Sequence, residues 1–278
     1  MKFTKMHGLG NDYVYINCFE EEITDRAALA IRVSNRNFGV GSDGLICICP
    51  SDKADFLMDM YNADGSRSQM CGNGIRCVGK FVYDKGLTER TTVTVESGGA
   101  VKTLQLHVEA GKVRSVRVNL GRPIFEPERI PVDAAGEDFI NRPIEVLGEW
   151  YWVTCLSMGN PHAVTFVEDV DGIDIQRVGP AFEHHPLFPE RVNTEFIQVV
   201  DRRTLKMRVW ERGSGETLAC GTGAAASVVA GVLNGLTGSA VTVRLLGGDL
   251  EIHWDREETG CVFMTGPAET VFEGIIFN

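Results

Sequence analysis

The sequence predicts a two-part α/β fold in which strands dominate (an α+β arrangement), built as two similar halves with a cleft between them. Three observations carry this. The pattern Cys-Gly-X-Gly occurs twice, as Cys71-Gly72-Asn73-Gly74 and as Cys220-Gly221-Thr222-Gly223, separated by about half of the 278 residues. Each copy follows a polar turn containing glycine, residues 62–66 and 212–216, and each leads into a stretch that reads as helix. Around both copies, short runs of apolar and polar residues alternate with the period of strands.

The elements follow in order. Residues 3–17 read as strand, loop and strand, with a Gly-Leu-Gly-Asn turn at 8–11. Thr24-Asp25 caps a helix from about 26 to 35, with apolar residues at 27, 28, 31 and 33 and Gly39 beyond it. Residues 45–49 resemble a buried strand, and 75–82 a helix begun by Cys71. Strands at 91–95 and 113–120, with Gly98-Gly99 and Gly111-Lys112 as turn signals, make a meander. From Gly121 to Pro131 the pattern lapses into a Pro-containing stretch, which places the domain boundary there. The first half is then 1–121 with 266–278, and the second 122–265. In the second half, strands at 152–156, 163–167, 195–200 and 206–211 lead to the second Cys helix, and a strand pair near 241–254 follows. The last apolar run, 271–277, returns as a strand to the first half.

Composition narrows the function classes. Hydrophobic residues make up 44% and charged residues 23%, ordinary values for a globular chain of this length. The net charge of −11 and the lack of a basic run disfavour nucleic acid and anionic membranes as partners. Residues 1–8 carry no apolar signal segment, and the longest apolar stretch, 221–233, is too short to span a bilayer. A cytoplasmic location is therefore expected, with the eight cysteines as thiols. No Cys-X-X-Cys pair is present, which argues against zinc and against a thioredoxin-type site. There is no P-loop, the stretch from His7 to Asp12 lacks the third glycine of a dinucleotide fingerprint, and no lysine stands out as a pyridoxal phosphate anchor. No cofactor is expected.

The duplicated cysteines point to proton transfer. The first turn of a helix leaves N–H groups without partners and adds partial positive charge. A cysteine there is expected to favour its thiolate relative to a free thiol of pKa about 8.5. The glycines let the backbone approach an anion, so the same N–H groups can hold a carboxylate. With one such helix on either side of a small amino acid, one thiolate removes the α-proton and the opposite thiol returns a proton to the other face. Cys18, Cys47, Cys49, Cys77, Cys155 and Cys261, lacking that context, read as packing residues. Asn11, Asn62, Asn160 and Asn193 lie in loop-like sites and suit the ammonium and carboxylate of a zwitterion. Arg212 offers a planar fork for a second carboxylate, while Glu211 and His162 are candidate helpers of a nearby thiol.

These motifs together resemble the diaminopimelate epimerase family. The resemblance rests on Lys5-Met6-His7-Gly8-Leu9-Gly10-Asn11-Asp12, Asn62-Ala63-Asp64-Gly65-Ser66, Cys71-Gly72-Asn73-Gly74, Met158-Gly159-Asn160-Pro161-His162, Glu190-Arg191-Val192-Asn193, Glu211-Arg212-Gly213-Ser214-Gly215-Glu216-Thr217 and Cys220-Gly221-Thr222-Gly223, in that order over nearly the whole chain. It implies two pseudo-symmetric domains, each a mostly antiparallel curved sheet or barrel around a central helix, with the substrate in the cleft. It also implies interconversion of LL- and meso-diaminopimelate without pyridoxal phosphate or metal, in lysine and peptidoglycan precursor synthesis. Cys71 and Cys220 would be the acid/base pair, assisted by His162 and Glu211. The amides of Gly72, Asn73, Gly221 and Thr222 would hold the reacting carboxylate. Asn11, Asn62, Asn160, Asn193, Glu211 and Arg212 would read the rest of this diamino-dicarboxylate, and the expected assembly is a homodimer. Two positions depart from the family pattern. Gly44 stands where many members carry Gln, which implies a lost side-chain contact, and Thr222 stands where Ser is frequent. Racemases of proline, hydroxyproline or histidine on the same scaffold are the nearest alternative. Asn160, Asn193 and Arg212, as readers of a distal amino-acid end, favour the two-ended substrate.

Overall fold

The computed structural model describes residues 1–68 and 71–277; Met70, just before the first Cys-Gly-X-Gly copy, lies outside the described residues. The chain divides into two units, residues 1–118 with 265–278, and residues 119–264.

The first unit begins with a hairpin of β1 (Lys2–Gly8) and β2 (Asn11–Asn17). Leu9 and Gly10 between them both have positive φ, 57° and 85°, the conformation that lets a two-residue turn follow the twist of its strands. α1 (Arg26–Ser34) starts where predicted, with the Asp25 side chain accepting from Ala28 N–H at 2.9 Å. β3 (Gly44–Cys49), β4 (Phe56–Asn62) and the short β5 (Arg67–Ser68) precede α2 (Gly72–Asp84). β6 (Thr92–Ser97), β7 (Ala100–Glu109) and β8 (Lys112–Gly121) form the predicted meander.

The second unit repeats this order. β9 (Phe139–Val146), β10 (Glu149–Ser157) and β11 (Pro161–Phe166) lead to α3 (Ile175–Glu183). β12 (Asn193–Asp201), β13 (Thr204–Glu211) and β14 (Gly215–Glu216) lead to α4 (Gly221–Leu233). β15 (Ala240–Leu245), β16 (Gly248–Trp254) and β17 (Val262–Pro267) come next. β18 (Glu269–Ile275), the predicted returning strand, pairs antiparallel with β1. α3 has no sequence-level prediction behind it: Pro180 sits inside it and its N-cap residue, Asp174, makes no side-chain cap, so both end signals are weak.

Pairing shows the duplication most clearly. β2 runs parallel to β3 and β11 parallel to β12; β4 is parallel to β6 and β13 parallel to β15. β1–β2, β3–β4, β10–β11 and β12–β13 pair antiparallel. Each parallel pairing spans a helix crossover, α1 and α2 in one unit and α3 and α4 in the other, the connection parallel strands require. The molecule is thus mixed α/β and dominated by its sheet.

α2 and α4 are the helices that place the two candidate thiols. Residues 73–82 of α2 and 223–231 of α4 are buried without a break, so neither helix has a solvent face along these turns. In α4 this is achieved with small residues, Ala224, Ala225, Ala226 and Gly231 among them. In α2 two cations are buried and satisfied. Arg76 donates to Pro267 O, Gly72 O and Asn73 Oδ1 at 3.0–3.2 Å. Lys80 donates to Asp84 and to Val113 O at 2.7 Å each. Cys47, Cys49, Cys77 and Cys155 are buried as expected. Cys18 and Cys261, read as packing residues, are only partly buried, because one lies in the turn after β2 and the other just before β17. Among the described residues no helix is long and apolar enough to cross a membrane.

Candidate active site

Each Cys-Gly-X-Gly cysteine is the N-cap residue of its helix, with extended backbone before the helical turn begins. Cys71 Sγ accepts from Gly74 N–H at 3.3 Å and donates to Asn11 Oδ1 at 3.1 Å. Asn11 in turn donates to Asp43 Oδ2 at 2.9 Å, and Asp43 accepts from Arg36 at 2.9 Å. Burial works against charge on Asp12, but Arg36 and Lys5 beside it outweigh burial and hold its carboxyl below the usual range. This anchored segment fixes the start of β2, and with it Asn11. Asn62, at the end of β4, donates to Ser66 Oγ at 2.9 Å within its own turn.

Gly44 lies opposite Asn62 in the β3–β4 ladder. A β-carbon built there would stand 2.1 Å from Tyr61 O and 2.8 Å from the Tyr13 ring. The backbone here leaves no room for any side chain unless β4 moves.

In the second unit, Cys220 is buried and its Sγ is 3.6 Å from Thr222 Oγ1. The expected helix-end preference for thiolate is reversed at this residue. Burial pushes the thiol well above its ordinary value, Glu211 and Glu195 add to the rise, and the Thr222 hydroxyl and Gly223 N–H offset only part of it. His162 is fully buried on β11. Its Nδ1 lies 2.7 Å from Glu195 Oε1 and its Nε2 3.0 Å from Asn160 Oδ1. Glu195, also fully buried, has its carboxyl raised by burial, an effect that His162 reduces but does not cancel.

The remaining residues form a brace around this cluster. Asn193 donates to Pro161 O at 2.8 Å and accepts from Arg212 N–H at 3.0 Å, so both ends of its amide are engaged within the unit. Glu183 at the end of α3 accepts from Gly213 N–H at 2.9 Å and from Trp210 Nε1 at 2.7 Å, which secures the turn after Glu211. Arg212 is exposed, with Nη1 donating to Glu190 O at 3.1 Å. Glu211 accepts from the Thr217 hydroxyl. At the helix starts, a β-carbon on Gly221 would meet Met264 Sδ at 2.7 Å, and Asn73 accepts from the buried Arg76.

The structure thus brings Cys71 to Asn11, His162 to Asn160, and Asn193 to Arg212, and it puts Gly72, Asn73, Gly221 and Thr222 in the first turns of α2 and α4. Sequence reasoning missed Glu195 and Tyr13. Glu195 carried one signal: an acid inside the run Val192-Asn193-Thr194-Glu195-Phe196-Ile197, buried without a break. Tyr13 carried none. Its hydroxyl is raised chiefly by burial and then by the neighbouring Cys71.

The chain is similar to known proteins in both sequence and fold. The sequence model of the diaminopimelate epimerase family matches residues 3–126 and 154–271. A diaminopimelate epimerase of Acetivibrio thermocellus is 57% identical over 274 residues, covering 99% of this chain and 98% of that protein. One from Methanococcus maripaludis is 52% identical over 276 residues, covering 99% of each. In fold, the chain is similar to a Bacillus anthracis phenazine biosynthesis protein of the PhzF family, with a TM-score of 0.71 at 15% identity over 100% of this chain and 99% of that one. It is also similar to a hydroxyproline epimerase of Agrobacterium vitis solved with trans-4-hydroxy-L-proline, with a TM-score of 0.68 at 15% identity over 99% and 90% of the two chains.

Proposed function

We infer the roles of individual residues from one premise: the chain belongs to the diaminopimelate epimerase family, and it is an isomerase that interconverts LL- and meso-diaminopimelate for lysine biosynthesis. Cys71 and Cys220 are the two proton-transfer groups, one thiol for each face of the reacting α-carbon. The observation that carries this reading is their equivalence: each caps the one helix of its unit that is buried over most of its length, at the same step of a repeated strand order. The amides of Gly72, Asn73, Gly221 and Thr222 take the carboxylate next to the reacting carbon, at helix starts whose dipoles favour negative charge. Those donors aim at the group on which charge grows as the proton leaves, the stabilisation that lets a thiol act on so weak a carbon acid. Asn11, Asn62, Asn160, Asn193, Glu211 and Arg212 read the ammonium groups and the distal end, and Glu211 and His162 assist Cys220. Asn193 also holds the Arg212 backbone, and its amide keeps a second N–H and a second lone pair for the substrate.

No organic cofactor enters this reading, and the same proposal extends to precursor supply for peptidoglycan. It also includes a cytoplasmic homodimer. Val271, Phe272 and Ile275, exposed on β18, offer apolar area for a second copy, and light scattering that returned the mass of a single chain would remove the dimer.

The decisive experiment is proton NMR of meso-diaminopimelate with reduced enzyme in D₂O. The α-proton signal is lost as the LL isomer appears. Cys71→Ala and Cys220→Ala each lower the rate by roughly 10³-fold or more, the scale for removal of a positioned acid or base. Full activity in either variant removes that cysteine from the reaction.

A further inference from the structure

The second glycine of each Cys-Gly-X-Gly copy faces a different neighbour. A β-carbon built on Gly223 would lie 2.6 Å from Glu195 Oε1 and 3.2 Å from Cys220 Sγ. Its counterpart on Gly74 would meet only Ile46 Cδ1 at 2.8 Å, Met58 Cε at 3.1 Å and Cys71 Cβ at 3.4 Å. Ile46 and Glu195 are equivalent in register: Tyr13 pairs with Gly44 and Tyr15 with Ile46, as His162 pairs with Asn193 and Val164 with Glu195. The second unit therefore sets a carboxyl at its second glycine, close enough to act on the thiol, where the first sets an isoleucine.

The hydrogen bonds around His162 define what that carboxyl holds. Nε2 faces Asn160 Oδ1, an acceptor, so Nε2 carries a hydrogen. Nδ1 then meets Glu195 Oε1 across 2.7 Å with a single proton between them, either Nδ1–H to carboxylate or carboxylic acid to Nδ1. The pair is neutral as a whole and contains one movable proton. The second carboxyl oxygen, Oε2, is buried with no hydrogen-bond partner.

We propose that Glu195 is a positioning residue that, with His162, sets the ionisation of Cys220 by the placement of this one proton. With the proton on His162 Nδ1, the Glu195 carboxylate beside Gly223 opposes a second negative charge and Cys220 stays a thiol. With the proton on Glu195, that opposition is gone, and Cys220 releases its own proton, to the α-carbanion of the substrate in turnover or to water in the free protein, leaving the thiolate. Within the His162–Glu195 pair the proton only changes partner.

The other charged groups leave this control to Glu195 and Glu211. β11 presents His162 to the cluster, β10 presents the Cys155 thiol, and β13 presents Glu211. β13 turns Lys206 and Arg208 to its other side, where they bond Asp171 and Glu216. β15 and β16, also packed on α4, leave Arg244, Asp249, Glu251 and His253 exposed. Among the described residues of α4 itself, Thr222 is the polar side chain at the thiol.

The inference rests on the reading of Cys220 as a proton-transfer group, but its first readout does not use substrate. Protein labelled with ¹³Cβ-cysteine is titrated by NMR, with the Cys220 signal assigned through Cys220→Ser. In Glu195→Gln, which keeps the shape and loses the charge, the Cys220 midpoint falls by about one pH unit or more. Glu195→Asp keeps the charge and returns the midpoint most of the way. Alongside, Glu195→Gln lowers kcat roughly 10- to 100-fold with KM changed less than about twofold, since it touches no part of the substrate. An unmoved Cys220 midpoint in folded Glu195→Gln overturns the inference while leaving the two-thiol reading intact. A shifted midpoint together with a fully active Cys220→Ala does the reverse.

Discussion

The starts of α2 and α4 are built on one plan and furnished with different chemistry. Each follows a turn after a strand, each has cysteine at the N-cap, and each faces a parallel strand pair whose first strand opens with Gly-Asn, at 10–11 and at 159–160. Two residues beyond each asparagine stands Tyr13 in the first unit and His162 in the second. In register with the next position on that face stand Ile46 and Glu195. Cys71 is thus part-exposed beside a phenol and an alkyl chain, with its anchoring cation–carboxylate network at Lys5, Asp12, Arg36 and Asp43 lying one step further out. Cys220 is buried beside an acid–base pair. The two units share the helix end and the thiol, while the residues around each thiol differ. On the proposed reading, two groups that exchange roles in a reversible reaction therefore need not be alike at rest.

The largest expected contrast comes from replacing the aromatic residue behind each asparagine. His162→Phe leaves Glu195 buried without its partner, which costs about 3–5 kcal/mol of stability, whereas Tyr13→Phe removes one hydroxyl and costs about 1 kcal/mol. Thermal or urea unfolding of the two variants checks this, and equal losses would break the comparison. The next contrast is at the second glycine of each copy. Gly223→Ala must displace the Glu195 oxygen that bonds His162, for about 2–3 kcal/mol and a large loss of activity, while Gly74→Ala displaces only alkyl ends for about 1 kcal/mol.

The smallest effect sharpens the comparison through pH. Asp12 has a folded-state pKa below its reference of 3.8, so the stability it contributes is present above that value and is lost as pH falls through the lowered one. Glu195 has a folded-state pKa above its reference of 4.5, so its contribution is full below that value and declines as pH rises through the raised one. Melting curves are expected to show Asp12→Asn approaching the parent protein in stability as pH drops below about 4. Glu195→Gln instead gains on the parent as pH rises above about 5. The same slope in both pairs would show that the two sites do not differ in this way.

Much of this was legible in the chain itself. The Cys-Gly-X-Gly copies located both helix starts because glycine next to a cap is a local requirement of backbone geometry. Asp25 located α1, and alternation located β6, β8, β10 to β13 and the returning β18. α3 was not legible, since a helix with an internal proline and no side-chain cap owes its form to packing against β12, β13 and β14. The likeness of the two thiols was overdrawn from sequence, where a helix end alone predicts a thiolate. Burial and two acids reverse that at Cys220, and neither burial nor the approach of Glu195 from a strand 25 residues upstream is written in the motif.

By itself, then, the sequence determined which residues are cysteine, glycine and cap, where helices begin, and that the order of elements runs twice, because these depend on neighbours along the chain. Tertiary structure alone decided that Asn193 ties Pro161 to Arg212, that no side chain fits at Gly44 unless β4 moves, and that the two thiols differ. Those outcomes depend on which strand lies against which helix and on how far each group is removed from water, and the electrostatic cost of an ionised group is set by those surroundings.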